Sequence, residues 1–143
     1  CDLAIASETA QFGQVGPKVG SVDPGFGTAL LARVVGEKKA REIWYLCRRY
    51  SGAEAVAMGL ANFCFPHDQL DAEVQKIGEE LCERSPTALA IAKRSFNADT
   101  AHQAGIAGLG MYALKLYYDT EESREGVNAL KDKRKPEFRK YVK

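Results

Sequence analysis

The sequence predicts an α/β fold in which two or three short strands are followed mostly by α-helices. Three observations carry that prediction. The chain has 143 residues, 45% hydrophobic and 27% charged, which is the size and balance of one soluble domain. Its first fourteen residues hold two strand-length segments, "DLAIAS" and "AQFGQ", separated by the polar "SET". From Thr28 onward, segments with helical period succeed one another, divided by Gly and Pro.

The elements follow in order. After the two strands comes "GPKVGSVDPGFG" (16–27), a glycine-rich loop with two prolines, and then a helix near Thr28–Val35 that Gly36 ends. In "EKKAREIWYLCRRY" (37–50), Ala40, Ile43, Trp44 and Cys47 form the i, i+3, i+4, i+7 stripe of an amphipathic helix. Ser51 and Glu54 have capping-box spacing and open a helix that breaks at Gly59. "NFCF" before Pro66 reads as a third strand. "DQLDAEVQKIGEELCERS" aligns Leu70, Val74, Ile77 and Leu81, and Ser85 with Pro86 starts the next helix.

"TAHQAGIAGLGMYALKLYYD" is helical despite Gly105, Gly108 and Gly110. Each glycine costs about 1 kcal/mol relative to Ala, so close packing on another backbone is expected there. Asp119 and Glu122 have the spacing of a second capping box, and Pro136 ends the last helix. Two strands at one end lack obvious partners, which are therefore expected upstream or on another chain. With "CDLAIAS" entered in mid-strand and no initiator Met, the sequence reads as the C-terminal part of something longer.

Composition narrows the function. No apolar run approaches the roughly 20 residues that span a bilayer, and the start lacks a secretion signal. Cys1, Cys47, Cys64 and Cys82 show no metal-ligand spacing and read as small buried hydrophobes in a reducing cytoplasm, so no metal site is expected. The tail "KDKRKPEFRKYVK" (131–143) has a net charge of +5, leaving −4 for residues 1–130. With two aromatics and no nucleic-acid motif, this tail favours a phosphate-bearing small molecule over nucleic acid or a membrane.

Ser21 and Asp23 sit two apart in the glycine loop. Ser and Asp are ordinary turn and capping residues, so on spacing alone Asp23 serves equally as the cap of the following helix.

The surrounding residues say more. "S-G-A-E-A-x-x-M-G-L-A-N-x-x-x-P" (51–66) resembles the general signature of the crotonase (enoyl-CoA hydratase/isomerase) superfamily. "GQxGPKxGSxD", "KKAREIWYLC", "SPTALxxxKxxFNxDT" and "LYYxTxExxEG…KRKPxF" resemble one branch of it. That branch contains 1,4-dihydroxy-2-naphthoyl-CoA synthases of menaquinone biosynthesis and 2-ketocyclohexanecarboxyl-CoA hydrolases of aromatic degradation. The resemblance runs from Cys1 to Lys143 and implies the C-terminal portion of a crotonase (ClpP/crotonase-like) fold. It implies the end of the spiral core over 1–85, with the active-site loop at 14–27, and a helical trimerisation region with a basic tail over 86–143.

The same resemblance implies a cytoplasmic, trimeric or hexameric enzyme acting on CoA thioesters through a thioester enolate, with no tightly bound cofactor, no nucleic acid and no membrane partner. The backbone donors that stabilise the enolate would lie upstream of Cys1, leaving this chain inactive alone. Asp23, Ser21 and Tyr118 match the catalytic positions of the branch, and Lys133 a CoA-binding lysine. Gln14, Gly16 and Trp44 match a bicarbonate-binding set in which the glycine leaves room for the anion, although Trp44 fits a core aromatic equally well. Lys133 likewise fits a solvated lysine face, and His67 and His102 match no catalytic position.

There are departures from the synthases: Val127 replaces an Arg, Leu130 a Phe and Val15 a Thr. Val127 and the tail agree with the hydrolase. The expected reaction is therefore hydrolytic, retro-Claisen ring opening of a cyclic β-keto acyl-CoA, 2-ketocyclohexanecarboxyl-CoA to pimeloyl-CoA. The alternatives are the naphthoyl-CoA synthase condensation of o-succinylbenzoyl-CoA, a generic enoyl-CoA hydratase/isomerase, and an inactive fragment or helical association module.

Overall fold

The computed structural model describes residues 1–23 and 25–142; Pro24 of the glycine loop and Lys143 of the tail lie outside the described residues. Both N-terminal strands find partners within the chain. β1 (Ile5–Ser7) runs parallel to β4 (Phe63–Phe65), with Ile5 opposite Phe63, Ala6 opposite Cys64 and Ser7 opposite Phe65. β2 (Gln11–Phe12) pairs antiparallel with β3 (Tyr50–Ser51). This corrects the expectation that their partners lie elsewhere. "NFCF" had the pattern of a strand, but β3 hides between the end of a helical stripe and a capping serine.

Packing groups the chain into two units, Cys1–Phe12 with Tyr50–Ala104 and Gly13–Arg49 with Gly105–Lys143. These units follow contacts and do not coincide with the 1–85 and 86–143 division expected from the resemblance.

In the first unit, the Ser51–Glu54 box forms as its spacing predicts: Ser51 Oγ accepts from Glu54 N at 3.2 Å, and Glu54 Oε2 accepts from Ser51 N at 2.7 Å. It starts α4 (Gly52–Ala57), whose Ala55 joins Ala6 and Ala61 in a core of small side chains. Buried Gly52 lies between Ser7 and Cys64, so helix and strands approach closely. α5 (Leu70–Cys82) and α6 (Pro86–Asp99) follow, the latter capped by Ser85 Oγ accepting from Ala88 N at 3.3 Å. The predicted stripe of α5 is only half covered, and α6 is exposed along its whole length.

The second unit contains α1 (Gly16–Val19), α2 (Phe26–Val35), α3 (Glu37–Leu46), α7 (Gly105–Tyr118) and α8 (Glu121–Lys131). Two expectations are corrected here. α3 buries Ala40, Ile43 and Trp44 as predicted but stops before Cys47, which adopts a left-handed conformation at φ 49°. α8 is capped by Thr120, not Asp119: Thr120 is extended and accepts from Ser123 N at 3.2 Å. A cap needs extended backbone, and Asp119 still belongs to the turn that closes α7.

All four cysteines are free thiols, and they are not the buried hydrophobes expected: Cys1 and Cys82 are exposed, Cys47 and Cys64 partly so. Among the described residues, no helix is long and apolar enough to cross a membrane.

Candidate active site

The first part of the glycine loop is helical, which its composition does not suggest. Pro17 lacks an amide hydrogen and is tolerated in a first helical turn, so "GPKV" closes as α1. Gly20 ends it at φ 71°, ψ 52°, donating its N–H to the Gly16 carbonyl. Two glycines then let backbone meet backbone. A Cβ on Gly20 would stand 2.8 Å from the Ser123 carbonyl oxygen. A Cβ on Gly126 would fall on the Val19 carbonyl and 2.5 Å from Gly20 N. The loop is thereby held against α8.

Ser21, the next residue, shares a 2.8 Å hydrogen bond with Tyr118 at the end of α7, in which either hydroxyl can donate. The two hydroxyls are 97 positions apart in sequence, and Tyr118 is half exposed. The structure thus brings together two of the three residues matched to catalytic positions.

Asp23, the third, is committed to the backbone. Its Oδ1 accepts from Gly25 N at 3.0 Å and Gly27 N at 3.1 Å, and its Oδ2 from Thr28 N at 2.6 Å. These include orphan donors in the first turn of α2, so Asp23 does the work of a cap from outside the helix. Partial burial pushes its carboxyl upward. The Thr28 side chain and the backbone N–H groups of Gly25, Thr28 and Gly27 outweigh that and hold it below its ordinary value. A carboxylate held down in this way is a weak base.

Trp44 closes over Gly16. A Cβ on Gly16 would meet the Ser21 carbonyl at 3.1 Å and the Trp44 ring at 3.2 Å. The Trp44 indole N–H donates to the Gly27 carbonyl at 3.2 Å. The space beside Gly16 is therefore lined by ring and carbonyl, and the Trp44 donor is already engaged. Gln14 is partly buried ahead of α1.

Lys133 is exposed in the turn after α8, left-handed at φ 53°. Behind it lies a tie that no sequence pattern announced. Glu125, only 6% exposed, receives Arg134 Nη1 at 2.6 Å and Nη2 at 3.0 Å, the Glu137 N–H at 2.8 Å, and Lys140 at 3.5 Å. Two cations of the basic tail are thus neutralised on α8. The Arg134 guanidinium, then the Glu137 N–H, lower the Glu125 carboxyl from 4.5 to about 2.

A depressed carboxyl contributes stability above its unfolded value and loses it as pH falls. The tail is therefore expected to stay docked above about pH 4.5 and to come away through about pH 2. Hydrogen exchange of the Glu137 amide should report this release, and Glu125→Gln should expose the tail to protease already at neutral pH.

Tyr118 also borders a shallow hollow of about 430 Å³ with Ser123, Arg124, Val127, Asn128 and Lys131. The last four form an i, i+3, i+4, i+7 stripe on α8. Of them, only Val127 was singled out by sequence, as a departure. A second hollow of about 250 Å³ between α2 and α3 is lined by Trp44 and Arg41 but contains none of Ser21, Asp23 or Tyr118.

A loop pinned by glycines, with hydroxyls converging at its end, is set here in the fold of crotonases, as solved structures show. An enoyl-CoA hydratase from Mycobacterium avium subsp. paratuberculosis K-10 superposes with a TM-score of 0.87 at 31% identity, over 96% of this chain and 56% of that one. An enoyl-CoA hydratase/isomerase from Pseudoalteromonas atlantica T6c gives 0.81 at 27% identity, over 96% and 56%. A methylmalonyl-CoA decarboxylase in complex with 2-nitronate-propionyl-CoA gives 0.77 at 26%, over 96% and 54%. Residues 1–141 match the enoyl-CoA hydratase/isomerase family model, and the chain belongs to that family. It spans about half the length of these solved relatives.

Proposed function

We propose that the protein containing this chain acts on an acyl-CoA thioester, and that its reaction is hydrolytic ring opening of a cyclic β-keto acyl-CoA. The observation that carries this reading is the Ser21–Tyr118 hydroxyl pair. A hydroxyl pair can hold a carbonyl oxygen and deliver a proton as a carbanion forms. Family membership and the decarboxylase relative's acyl-CoA-like ligand support a thioester substrate.

In this scheme water adds to the ring ketone, and the C–C bond to the α-carbon breaks. Its electrons pass into the thioester enolate, and Tyr118 protonates the α-carbon. The former ketone carbon, still attached through the rest of the ring, becomes the far-end carboxylate after the added water gives its proton to the base. For a six-membered ring this gives pimeloyl-CoA. Asp23, occupied by three backbone donors, shapes the loop and is poorly suited to activate that water. An anion such as bicarbonate beside Gly16 is the alternative base. With the Trp44 N–H engaged, it would rest on Gln14 and backbone donors. Lys133, in the tail turn, would meet the CoA phosphates. Assembly into trimers or hexamers, with a cytoplasmic location, completes the proposal.

The second reading, ring-closing condensation of o-succinylbenzoyl-CoA, uses the same enolate. Val127 beside Tyr118 in the hollow disfavours it, since the synthases carry an Arg there. The full-length protein incubated separately with 2-ketocyclohexanecarboxyl-CoA and o-succinylbenzoyl-CoA decides between them by mass spectrometry. Gain of one water by the first substrate is the expected result. Loss of one water by the second assigns the synthase, and two unchanged esters reject both.

A further inference from the structure

Ser123 is buried, 4% exposed, and lies in the first turn of α8. Its single hydroxyl proton is shared between the Thr120 carbonyl at 3.0 Å and the Tyr118 carbonyl at 3.3 Å. Thr120 reinforces the turn from the other side, donating its own hydroxyl to the Tyr117 carbonyl at 2.6 Å while accepting from Ser123 N. Tyr117 and Tyr118 end α7, so these carbonyls are among those a helix leaves without internal partners. The short connection is closed by side-chain hydroxyls, and the Tyr118 backbone is gripped by one of them.

The main chain of Ser123 does something different. Its carbonyl oxygen and Cα face Gly20, where a Cβ would stand 2.8 and 3.3 Å away. Gly20 directly precedes Ser21. One residue therefore touches both halves of the hydroxyl pair, holding the Tyr118 carbonyl by its side chain and supporting the turn that carries Ser21 by its backbone. We infer that Ser123 is a positioning residue that sets the contact between the Ser21 and Tyr118 hydroxyls. The inference rests on the reading that this pair acts on substrate.

The consequence is specific to the pair. Ser123→Ala keeps the backbone contact with Gly20 but frees the Tyr118 carbonyl, so the phenol drifts from Ser21. A displacement of about 1 Å at reacting groups can cost about a hundredfold in rate. We expect kcat of the full-length enzyme on its active CoA ester to fall by about ten- to a hundredfold, with KM little changed. In a Tyr118→Phe background the same substitution should cost almost nothing more, because residues acting as a unit are not additive. Ser123→Thr, which restores a hydroxyl, should recover part of the loss.

An activity-free readout keeps the two layers separate. With ring-13C-labelled tyrosine, the Tyr118 resonance of Ser123→Ala should move toward its position in Ser21→Ala. A resonance that stays at its wild-type position, or an equal kinetic cost in both backgrounds, overturns the positioning role. If the resonance moves while Tyr118→Phe leaves kcat intact, the pair is positioned by Ser123 but is not catalytic, and the functional reading fails instead. Should Ser123→Ala not fold, the near-isosteric Ser123→Cys, a weaker donor, takes its place in the same cycle.

Discussion

Gly126→Ala is expected to destabilise the protein by about 3 kcal/mol or more, at or beyond the upper end of ordinary overpacking. The added methyl lands on main chain, not on a side chain that can turn away. It meets the Val19 carbonyl and the amide of Gly20, and neither can retreat without opening α1. Gly20 cannot compensate, since its left-handed backbone is itself pressed against Ser123. Either α8 lifts off the loop or the loop unwinds, and both separate Ser21 from Tyr118. Thermal unfolding of the full-length protein measures the loss. An unchanged melting temperature would show that the loop and α8 are not in backbone contact.

Tyr118→Phe is the second large effect, on rate and not on folding. The phenol is half exposed and its bond to Ser21 is a neutral one, so its loss should cost at most about 1 kcal/mol of stability. If Tyr118 delivers the proton to the α-carbon, removing it should lower kcat by about 10²- to 10⁴-fold, the usual worth of a positioned general acid. Substrate binding should hardly change, because the ring and its packing remain. Steady-state kinetics on the active CoA ester together with a thermal melt separate the two effects. A variant with wild-type kcat removes Tyr118 from the chemistry.

The parts of this architecture that were legible in sequence are local. The Ser51–Glu54 box, the Ser85–Pro86 start and the buried stripe of α3 depend on residues within a turn or two of each other. Their chemistry acts at that range, so spacing alone reveals it. Spacing could not choose between cap and catalytic carboxylate for Asp23. Which backbone donors face it depends on how the loop is folded back, and three of them do.

What stayed hidden is either very short or distant in sequence. β3 is two residues long and overlaps a cap. α1 begins with Gly and Pro, which weigh against a helix by composition, although Pro is at home in a first turn. The Glu125–Arg134 tie joins residues nine apart across a helix end, outside any helical spacing rule. The pairing of Ser21 with Tyr118 rests on the meeting of Gly20 and Gly126. Only the resemblance to a family, not periodicity, drew the two hydroxyls together.

The alanine core of the first unit reverses the usual tolerance of a buried site to mutation. A leucine or phenylalanine in a core is most often damaged by truncation, because shortening it opens a void. Ala6, Ala55 and Ala61 have a single methyl to lose, so truncation to glycine removes little volume and acts mainly on the backbone. Enlargement must push against the Phe12, Val56 and Leu60 side chains that already pack on the cluster, or against the close backbone around Gly52. In a saturation scan, these positions should reject valine and leucine more sharply than glycine or serine. That profile would be read elsewhere as the mark of a ligand pocket. Here it would come from a helix and strands drawn close at Gly52, with larger neighbours already filling the space around the three methyls.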